Sequence, residues 1–424
     1  MKLLELPFGP DGPNGGESRM GGVIAPEIVL DISRLVSRLL HSTPTGVDRV
    51  EMAYAQGLLA RIPYRLSFSA VHPVGRYGRL DGEAVRAFLE RTQTRWDQDG
   101  VHETKATSYR HALEWSWRLR PRPVPRPTRT RVLLQPSPNE LHHPYRIATK
   151  TAKEDARFVC MVHDLIPITH PEFARPGGAE LHRRRVDTIG SQADAIIVNS
   201  QATRRSLEAW GGYALRDQPI CVAPLAVDHI VGAATARAFP GQPYFLCIGT
   251  IEPRKNHLLL LNVWRAIAER LRTDEVPLLV MVGRRGWENE NIIDMLERCQ
   301  ALKGTVCEVD RIPDAELRPL IAGARALLMP SFAEGFGLPV AEALASGTPV
   351  IASDLPAHRE AGGDVPDYLD PLDGRGWHEA VLAYADDQSP RRQAQLDRLV
   401  GWVPARWDDH LSAVLDLAAR IARC

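Results

Sequence analysis

The sequence predicts an α/β protein in which two doubly wound parallel sheets, one in each half of the chain, face a central cleft. Short apolar runs alternate with amphipathic helical stretches, which is the pattern of parallel sheets covered on both faces. The 424 residues are enough for two domains with separate cores. Residues 224–242 are rich in Ala, Gly and Pro and have little periodicity, so we place the domain boundary there.

The individual elements follow from apolar runs of strand length and from stretches with helical spacing. Each run is short and ends in residues that favour turns, as in buried parallel strands. The predicted strands of the first half are residues 28–32, 131–134, 158–162 and 195–198, with helices over 48–60 and through Trp210. The predicted strands of the second half are residues 244–249, 278–283, 305–309, 326–329 and 349–352, followed by a last helix over roughly 406–423.

Composition excludes few classes of function. Lys plus Arg equals Asp plus Glu at 52 each, so the net charge does not indicate an anionic partner. The six cysteines have no CxxC spacing and are expected to be reduced, buried thiols of a cytoplasmic protein. Residues 1–7 lack an apolar segment of signal-peptide length, and the longest apolar run near a helix, 258–261, is too short to span a bilayer.

Glu334 and Glu342 lie eight positions apart, directly behind a predicted strand. Gly335 and Gly337 allow the backbone to approach a bulky anion, and Pro339 suits the first turn of a helix whose free amides point at the loop. A carboxylate near that helix start should stay ionised and accept hydrogen bonds from sugar hydroxyls. The segment therefore favours a site for a diphosphate and sugar hydroxyls over a plain strand–turn–helix crossover with a solvated glutamate.

Arg254 and Lys255 follow the first predicted strand of the second half, where they would face the cleft. Cations at this place can neutralise the charge that develops on a departing diphosphate. The alternative is a surface pair at a helix start.

His163 and Asp164 follow a predicted strand of the first half. Such a pair can bind a metal, act as a base, or form a hydrogen-bonded structural pair, and no third ligand stands at a spacing that suggests a metal.

The Glu334-to-Glu342 segment resembles the signature of the retaining glycosyltransferases of family 4, which have the GT-B fold of two Rossmann-like domains. The resemblance covers nearly the whole second domain and residues 163–199 of the first. It implies that Glu334 binds the transferred sugar, that Glu342 binds the ribose, and that Lys255 and Arg254 stabilise the leaving group. We expect Glu334→Ala to abolish transfer and to leave the fold intact.

The same resemblance assigns roles to further residues. His163 would contact the transferred sugar or handle a proton, and Asp164 would hold the loop or the imidazole. Thr250 stands where many relatives have arginine, and Arg254 is expected to compensate. The remaining donor-binding residues implied by family position are Gly335, Phe336, Gly337, Leu338, Gly283, Arg311, Ile312 and Gly46.

The implied domains are an acceptor-binding domain (1–228), a linker (229–242), a nucleotide-sugar domain (243–404) and a helix (405–424) that crosses back. The implied activity is transfer of a hexose, with mannose, rhamnose and glucose as candidates, from a nucleotide-diphosphate sugar to a glycan or lipid-linked glycan in bacterial surface polysaccharide synthesis. No cofactor, metal or nucleic acid is expected. The alternatives are a nucleotide-sugar epimerase or hydrolase of the same fold and a non-catalytic nucleotide-sugar-binding subunit.

Residues 105–131 contain eight Lys or Arg and one acid, Glu114, together with Tyr109, Trp115 and Trp117. Basic and aromatic residues together suit an anionic membrane surface, which would place the protein peripherally on the inner face of the plasma membrane. They also suit single-stranded nucleic acid, although no nucleic-acid module is recognisable. The third interpretation is a solvated loop that ends in a Pro-rich piece.

Overall fold

The computed structural model describes residues 25–99, 103–211, 215, 218–227 and 242–423. Two sheets form two α/β domains, with strand orders β3-β2-β1-β4-β5-β6-β7 and β10-β9-β8-β11-β12-β13. The predicted pair of doubly wound sheets is therefore confirmed. The first sheet contains β1 Glu27–Asp31, β2 Leu66–Val71, β3 Tyr77–Arg79, β4 Arg131–Gln135, β5 Ala156–Val162, β6 Ala195–Val198 and β7 Ile220–Val222. The second contains β8 Tyr244–Ile248, β9 Leu278–Val282, β10 Val306–Val309, β11 Leu327–Met329, β12 Val350–Ser353 and β13 Asp367–Leu369.

Helices cover both faces of each sheet, which explains why central strands such as β4, β6 and β9 are buried along their whole length. In the first domain the helices are α1 Ser33–Ser37, α2 Gly46–Arg61, α3 Gly82–Thr94, α4 Lys105–Arg118, α5 Pro144–Glu154, α6 Ile166–Thr169, α7 Gly178–Gln192 and α8 Gln201–Gly211. In the second part of the chain they are α9 His257–Ala268, α10 Glu290–Arg298, α11 Asp314–Ala322, α12 Leu338–Ala345, α13 Pro356–Gly362, α14 Gly374–Ala385, α15 Pro390–Leu399 and α16 Trp407–Ile421.

Four strands were not predicted, namely β2, β3, β7 and β13. Three of them are only three residues long, and β3, with the sequence Tyr-Gly-Arg, contains no apolar run. Strand β2 alternates serine with apolar residues, so it lacks the continuous apolar run that identifies the central strands. Strand β3 pairs antiparallel with β2, so the first sheet is not purely parallel.

Helix α4 corrects the interpretation of residues 105–131 as a solvated loop. Residues 105–118 are helical, and Thr104 caps the helix by accepting a hydrogen bond from the Thr107 amide. Arg131, counted among the basic residues of this stretch, is only 2% exposed and pairs with Glu27 at 2.8 Å. The exposed basic surface is therefore smaller than the sequence indicates, and its first part is an ordered helix.

Helix α16 packs on α2, β6 and β7 of the first domain. His410 lies in this contact, with Nε2 2.7 Å from the Tyr54 hydroxyl and Nδ1 3.0 Å from the Pro224 carbonyl oxygen. The expected linker, residues 229–242, lies outside the described residues except for Gln242. Within the described part of the chain, no helix combines the length and apolar character needed to cross a membrane.

Glu51 on α2 is a fully buried acid whose two carboxylate oxygens differ in partners. One accepts a hydrogen bond from the Leu35 amide at 2.9 Å, whereas the other has no hydrogen-bond partner among the residues that the structure describes. Burial raises the pKa of Glu51 from 4.5 to about 8, and the charge of Asp31 acts in the same direction. The folded protein therefore keeps a proton on Glu51 that the unfolded chain releases.

We expect Glu51→Gln to remove a pH dependence of stability. Because the folded-state pKa is raised, the folded state binds more protons between pH 4.5 and about 8, so wild-type stability falls as pH rises through this window. Urea denaturation measures the free energy of unfolding of both proteins. The difference between variant and wild type should increase by about 1.4 kcal/mol for each pH unit within this window. The control is Glu379→Gln, at an exposed ion pair with Arg375, which should follow the pH dependence of wild type. Parallel plots of unfolding free energy against pH for Glu51→Gln and wild type would contradict the expectation.

Candidate functional site

The cleft between the two domains contains a cavity of about 390 Å³ at the carboxyl ends of strands from both sheets. This is the edge at which open α/β sheets bind ligands. All thirteen candidate residues from the sequence line this cavity, so the fold brings them together. They are Gly46, His163, Arg254, Lys255, Gly283, Arg311, Ile312, Glu334, Gly335, Phe336, Gly337, Leu338 and Glu342. Their individual roles remain predictions.

Glu334 is held by the two cations that follow β8. Lys255 Nζ lies 2.6 Å from Glu334 Oε1, and Arg254 Nη1 lies 2.8 Å from Glu334 Oε2. The Ser331 hydroxyl donates a further hydrogen bond to Glu334 Oε1 at 2.8 Å. Burial alone would raise the pKa of Glu334, but the charges of Arg254 and Lys255 outweigh it and hold this pKa far below its usual range. Glu334 is therefore an ionised acceptor and a weak base.

Arg254 is fixed by three groups and cannot leave the site easily. Besides Glu334, it contacts Glu252 at 2.7 Å and donates a hydrogen bond to the Ala333 carbonyl oxygen at 2.7 Å. The carboxylates of Glu334 and Glu252 raise the pKa of Arg254 although burial opposes them. Thr250 and Arg254 both line the cavity.

The loop after Glu334 leads into the N-terminus of α12. Gly337 is the N-cap with φ of 93°, a conformation that disfavours residues with a Cβ atom, and Pro339 lies in the first turn. Gly337 and Leu338 at this helix start line the cavity, and the Val340 amide donates a hydrogen bond back to the Gly337 carbonyl oxygen at 2.9 Å. An anion would therefore be bound by the amides that precede Val340.

Glu342 lies one turn inside α12, and its carboxylate accepts no hydrogen bond from any residue in the described ranges. Burial raises the pKa of Glu342, and the nearby Arg49 lowers it only in part. Burial therefore acts against the ionising effect expected of the helix start.

His163 lies across the cleft at the end of β5, with Nε2 2.7 Å from the Pro136 carbonyl oxygen. Burial lowers the pKa of His163, so the ring is neutral near pH 7. In a neutral ring that donates from Nε2, Nδ1 keeps its lone pair and can accept a hydrogen bond. Asp164 Oδ1 accepts a hydrogen bond from the Ile166 amide at 3.0 Å, so this side chain holds the loop.

The two domains touch directly at Gly335. Its carbonyl oxygen accepts hydrogen bonds from Ser200 Oγ at 2.8 Å and Thr203 Oγ1 at 3.1 Å. A Cβ atom at Gly335 would lie 2.4 Å from the carbonyl oxygen of His163, too close for any side chain. The absence of a Cβ atom at Gly335 therefore allows residues 334–337, here called the donor loop, to contact the first domain.

Two ionic contacts between the domains were not predicted. Arg49 and Asp314 form a two-pronged pair with both distances at 2.5 Å. Glu360 accepts hydrogen bonds from the amides of Gln201 and Ala202 at 2.5 and 2.7 Å, so it caps helix α8 of the other domain. These partners lie in different domains, and no local sequence pattern indicates them.

The described residues contain no group of three or more His, Cys, Asp or Glu arranged to hold a metal ion. The charged groups of the cavity are instead arginines, one lysine and carboxylates.

Comparison with known proteins identifies a glycosyltransferase family. The family model described as glycosyl transferases group 1 matches residues 234–364. The O-antigen chain mannosyltransferase B of Escherichia coli is 35% identical over 261 residues, which are 60% of this chain and 68% of that protein. The serotype-specific mannosyltransferase WbdA of Escherichia coli is 29% identical over 220 residues, which are 48% of this chain and 27% of that protein.

Solved structures agree on the fold. HepE of Anabaena, crystallised in complex with UDP, superposes with a TM-score of 0.58 over 94% of this chain and 99% of that chain, at 15% identity. Sucrose-phosphate synthase from Thermosynechococcus elongatus gives a TM-score of 0.58 over 94% and 98% of the two chains, at 17% identity. The two facing α/β domains are therefore a GT-B fold. Together with the family match and the mannosyltransferase relative, this means that the chain belongs to the glycosyl transferases group 1 family.

Proposed function

We propose that this protein is a retaining, metal-independent hexosyltransferase that moves a sugar from a nucleotide-diphosphate donor to a glycan or lipid-linked glycan. Two relatives named as O-antigen and serotype-specific mannosyltransferases support mannose as the first sugar to test, ahead of rhamnose and glucose. The O-antigen relative also supports bacterial surface polysaccharide synthesis as the setting, and we place this activity on the cytoplasmic side of the membrane.

The observation that carries this proposal is the ionic cluster of Glu334, Lys255 and Arg254 beside the N-terminus of α12. A diphosphate bound at the helix amides would lie against both cations, which would stabilise the charge that develops as the glycosyl bond breaks. Glu334 lies beside these cations, where it would accept hydrogen bonds from hydroxyls of the transferred sugar.

The other cleft residues complete the donor site. Glu342 lies one turn inside α12, where its carboxyl group would bind the ribose hydroxyls. Gly283, Arg311 and Ile312 end or follow strands on the same side of the cleft, where the base and diphosphate would lie. His163 would offer Nδ1 to a hydroxyl of the sugar from the opposite domain.

Retention of configuration is supported by the weak basicity of Glu334, the carboxylate beside the two cations. Glu334 is neutralised by two cations, so it is a poor base, and Asp164 is committed to the Ile166 amide. Because Glu334 is a poor base, we infer same-face attack in which an oxygen of the departing phosphate accepts the acceptor proton. The fixed cations and helix amides would take the role that a metal has in other transferases, so divalent metal should be dispensable.

The expected product has the anomeric configuration of the donor. The test is to incubate the protein with GDP-mannose or the corresponding UDP- or dTDP-sugars and a glycan acceptor, and to determine the product anomer by proton NMR. Transfer should persist in the presence of EDTA. Release of the nucleoside diphosphate should require the glycan acceptor. An inverted product or loss of activity on chelation would overturn the mechanism, and release without any acceptor would indicate a hydrolase instead.

A further inference from the structure

Helix α4 carries two apolar stripes, and folding explains only one of them. His111 and Trp115 are buried on the inner side, and Leu119, the C-cap residue, continues this stripe with no exposed surface. The Trp115 ring packs against Phe88 with the ring centroids 5.5 Å apart. This inner stripe is the apolar face that an amphipathic surface helix needs to attach to its domain.

The second stripe consists of Tyr109, Leu113 and Trp117, spaced four residues apart on one side of the helix. Their side chains are 60%, 71% and 69% exposed. A single exposed apolar residue is ordinary, whereas three large ones aligned along one helix form a patch of the kind that marks an interaction surface. Tyrosine and tryptophan are also the residues enriched at membrane–water interfaces.

The charge around this outer stripe is positive. Lys105, Arg110 and Arg120 form no ion pair with any residue of the described ranges, and the Arg120 guanidinium lies 5.2 Å from the Trp117 ring centroid. The one acid of the helix, Glu114, is paired with Arg118 at 3.3 Å. Cations beside aromatic and aliphatic side chains complement the anionic headgroups and apolar interior of a bilayer surface. Leu113 in the middle of the stripe cannot stack on a base, which disfavours single-stranded nucleic acid.

The start of α4 lies close to the rim of the cleft. Arg95 donates hydrogen bonds to the carbonyl oxygens of Leu39 and His41 at 2.9 and 3.2 Å and to Ser108 of α4 at 3.2 Å. The chain after His41 continues into residues 43–47, which line the cavity. The start of α4 is therefore linked through Arg95 to the segment that leads into the candidate active site.

We propose that α4 docks this protein on an anionic lipid bilayer, with Tyr109, Leu113 and Trp117 entering the headgroup region and Lys105, Arg110 and Arg120 contacting lipid phosphates. This inference deepens the proposed function, because it brings the cleft to an acceptor whose lipid part lies in the membrane. The docking surface itself uses none of the residues assigned to the donor site.

The test is flotation of the purified full-length chain with vesicles, without donor or acceptor. Wild type should bind vesicles of equal parts phosphatidylcholine and phosphatidylglycerol, and bind pure phosphatidylcholine far more weakly. The combined variant Tyr109→Ser, Leu113→Ser and Trp117→Ser should lose at least tenfold in vesicle affinity. Lys105→Gln, Arg110→Gln and Arg120→Gln should each lose about fivefold, and the loss should shrink at high salt.

The matched control is Tyr64→Ser, Tyr145→Ser and Leu372→Ser, which removes three side chains that are 100%, 82% and 78% exposed elsewhere. It should bind vesicles like wild type. Equal binding by the α4 variant and the control, no binding by wild type, or displacement of vesicles by a single-stranded oligonucleotide would overturn the proposal. Sugar transfer to a water-soluble acceptor should be unchanged in the α4 variants, so failure of docking and failure of the transferase assignment are separate results.

Discussion

Replacing Glu334 with glutamine should lower the rate of sugar transfer about a hundredfold or more, the scale on which loss of one preorganised polar group acts. The amide keeps the size of the side chain but cannot hold Lys255 and Arg254 by charge, and it is a poorer acceptor for sugar hydroxyls. A steady-state assay of transfer from the nucleotide sugar measures the effect, and near-normal turnover would refute the assignment of Glu334.

The same variant should bind the nucleoside diphosphate more tightly than wild type. Glu334 neutralises the two cations in the described structure, so it competes with phosphate oxygens for them. Calorimetry with the nucleoside diphosphate alone separates this effect from transfer, because no sugar is then present. A Lys255→Met variant should lose both nucleotide affinity and transfer, and Glu297→Gln, at an ion pair with Arg285 away from the cavity, should change neither.

The structure also changes the choice of substitution at this position. The sequence predicts that Glu334→Ala leaves the fold intact, but the side chain is only 9% exposed and balances two largely buried cations. Removal of one member of a buried ion pair costs about 3–5 kcal/mol, because the remaining charge is left without a partner. Glutamine avoids part of this cost, because its carbonyl oxygen keeps a hydrogen-bond acceptor for one of the two cations.

The sequence predicts the central strands well because their burial on both faces is visible in their own residues. Strands β4, β6 and β9 are buried on both faces, so each appears as a continuous apolar run. Edge strands such as β3 and β13 are three residues long, and their side chains pair with residues distant in the sequence, as Arg79 does with Glu154. Their existence follows from the sheet that is already formed and not from their own residues.

The residues of the candidate site also fall into two groups, those with a local sequence pattern and those that meet only in the folded protein. Residues that follow a strand or begin a helix, such as Lys255 and Glu334, could be found because parallel strands end at a common edge. The Arg49–Asp314 pair could not be found, because its members are 265 residues apart and meet only across the cleft. The raised pKa of Glu342 could not be predicted for a related reason, since it depends on burial by the whole fold and not on the helix that carries Glu342.

Gly335→Ala should reduce transfer about a hundredfold through the contact between the two domains. The added Cβ atom would lie 2.4 Å from the His163 carbonyl oxygen and 3.0 Å from Asp164 Cβ. The nearer atom belongs to the backbone and cannot rotate away, so the donor loop must withdraw from His163. A displacement of about 1 Å between reacting groups can cost a hundredfold in rate.

The thermal stability of the variant separates this effect from misfolding. Gly335 joins the domains through Ser200 and Thr203 but lies outside the helices and strands, so the melting temperature should change little. Gly82→Ala is the matched control, because a Cβ atom at that helix start has no neighbour within 4 Å. Normal transfer by Gly335→Ala would mean that the contact between Gly335 and His163 is absent from the state in which transfer occurs. Loss of transfer at unchanged stability, with nucleotide binding retained, would instead identify closure of the donor loop onto the first domain as a requirement of the reaction.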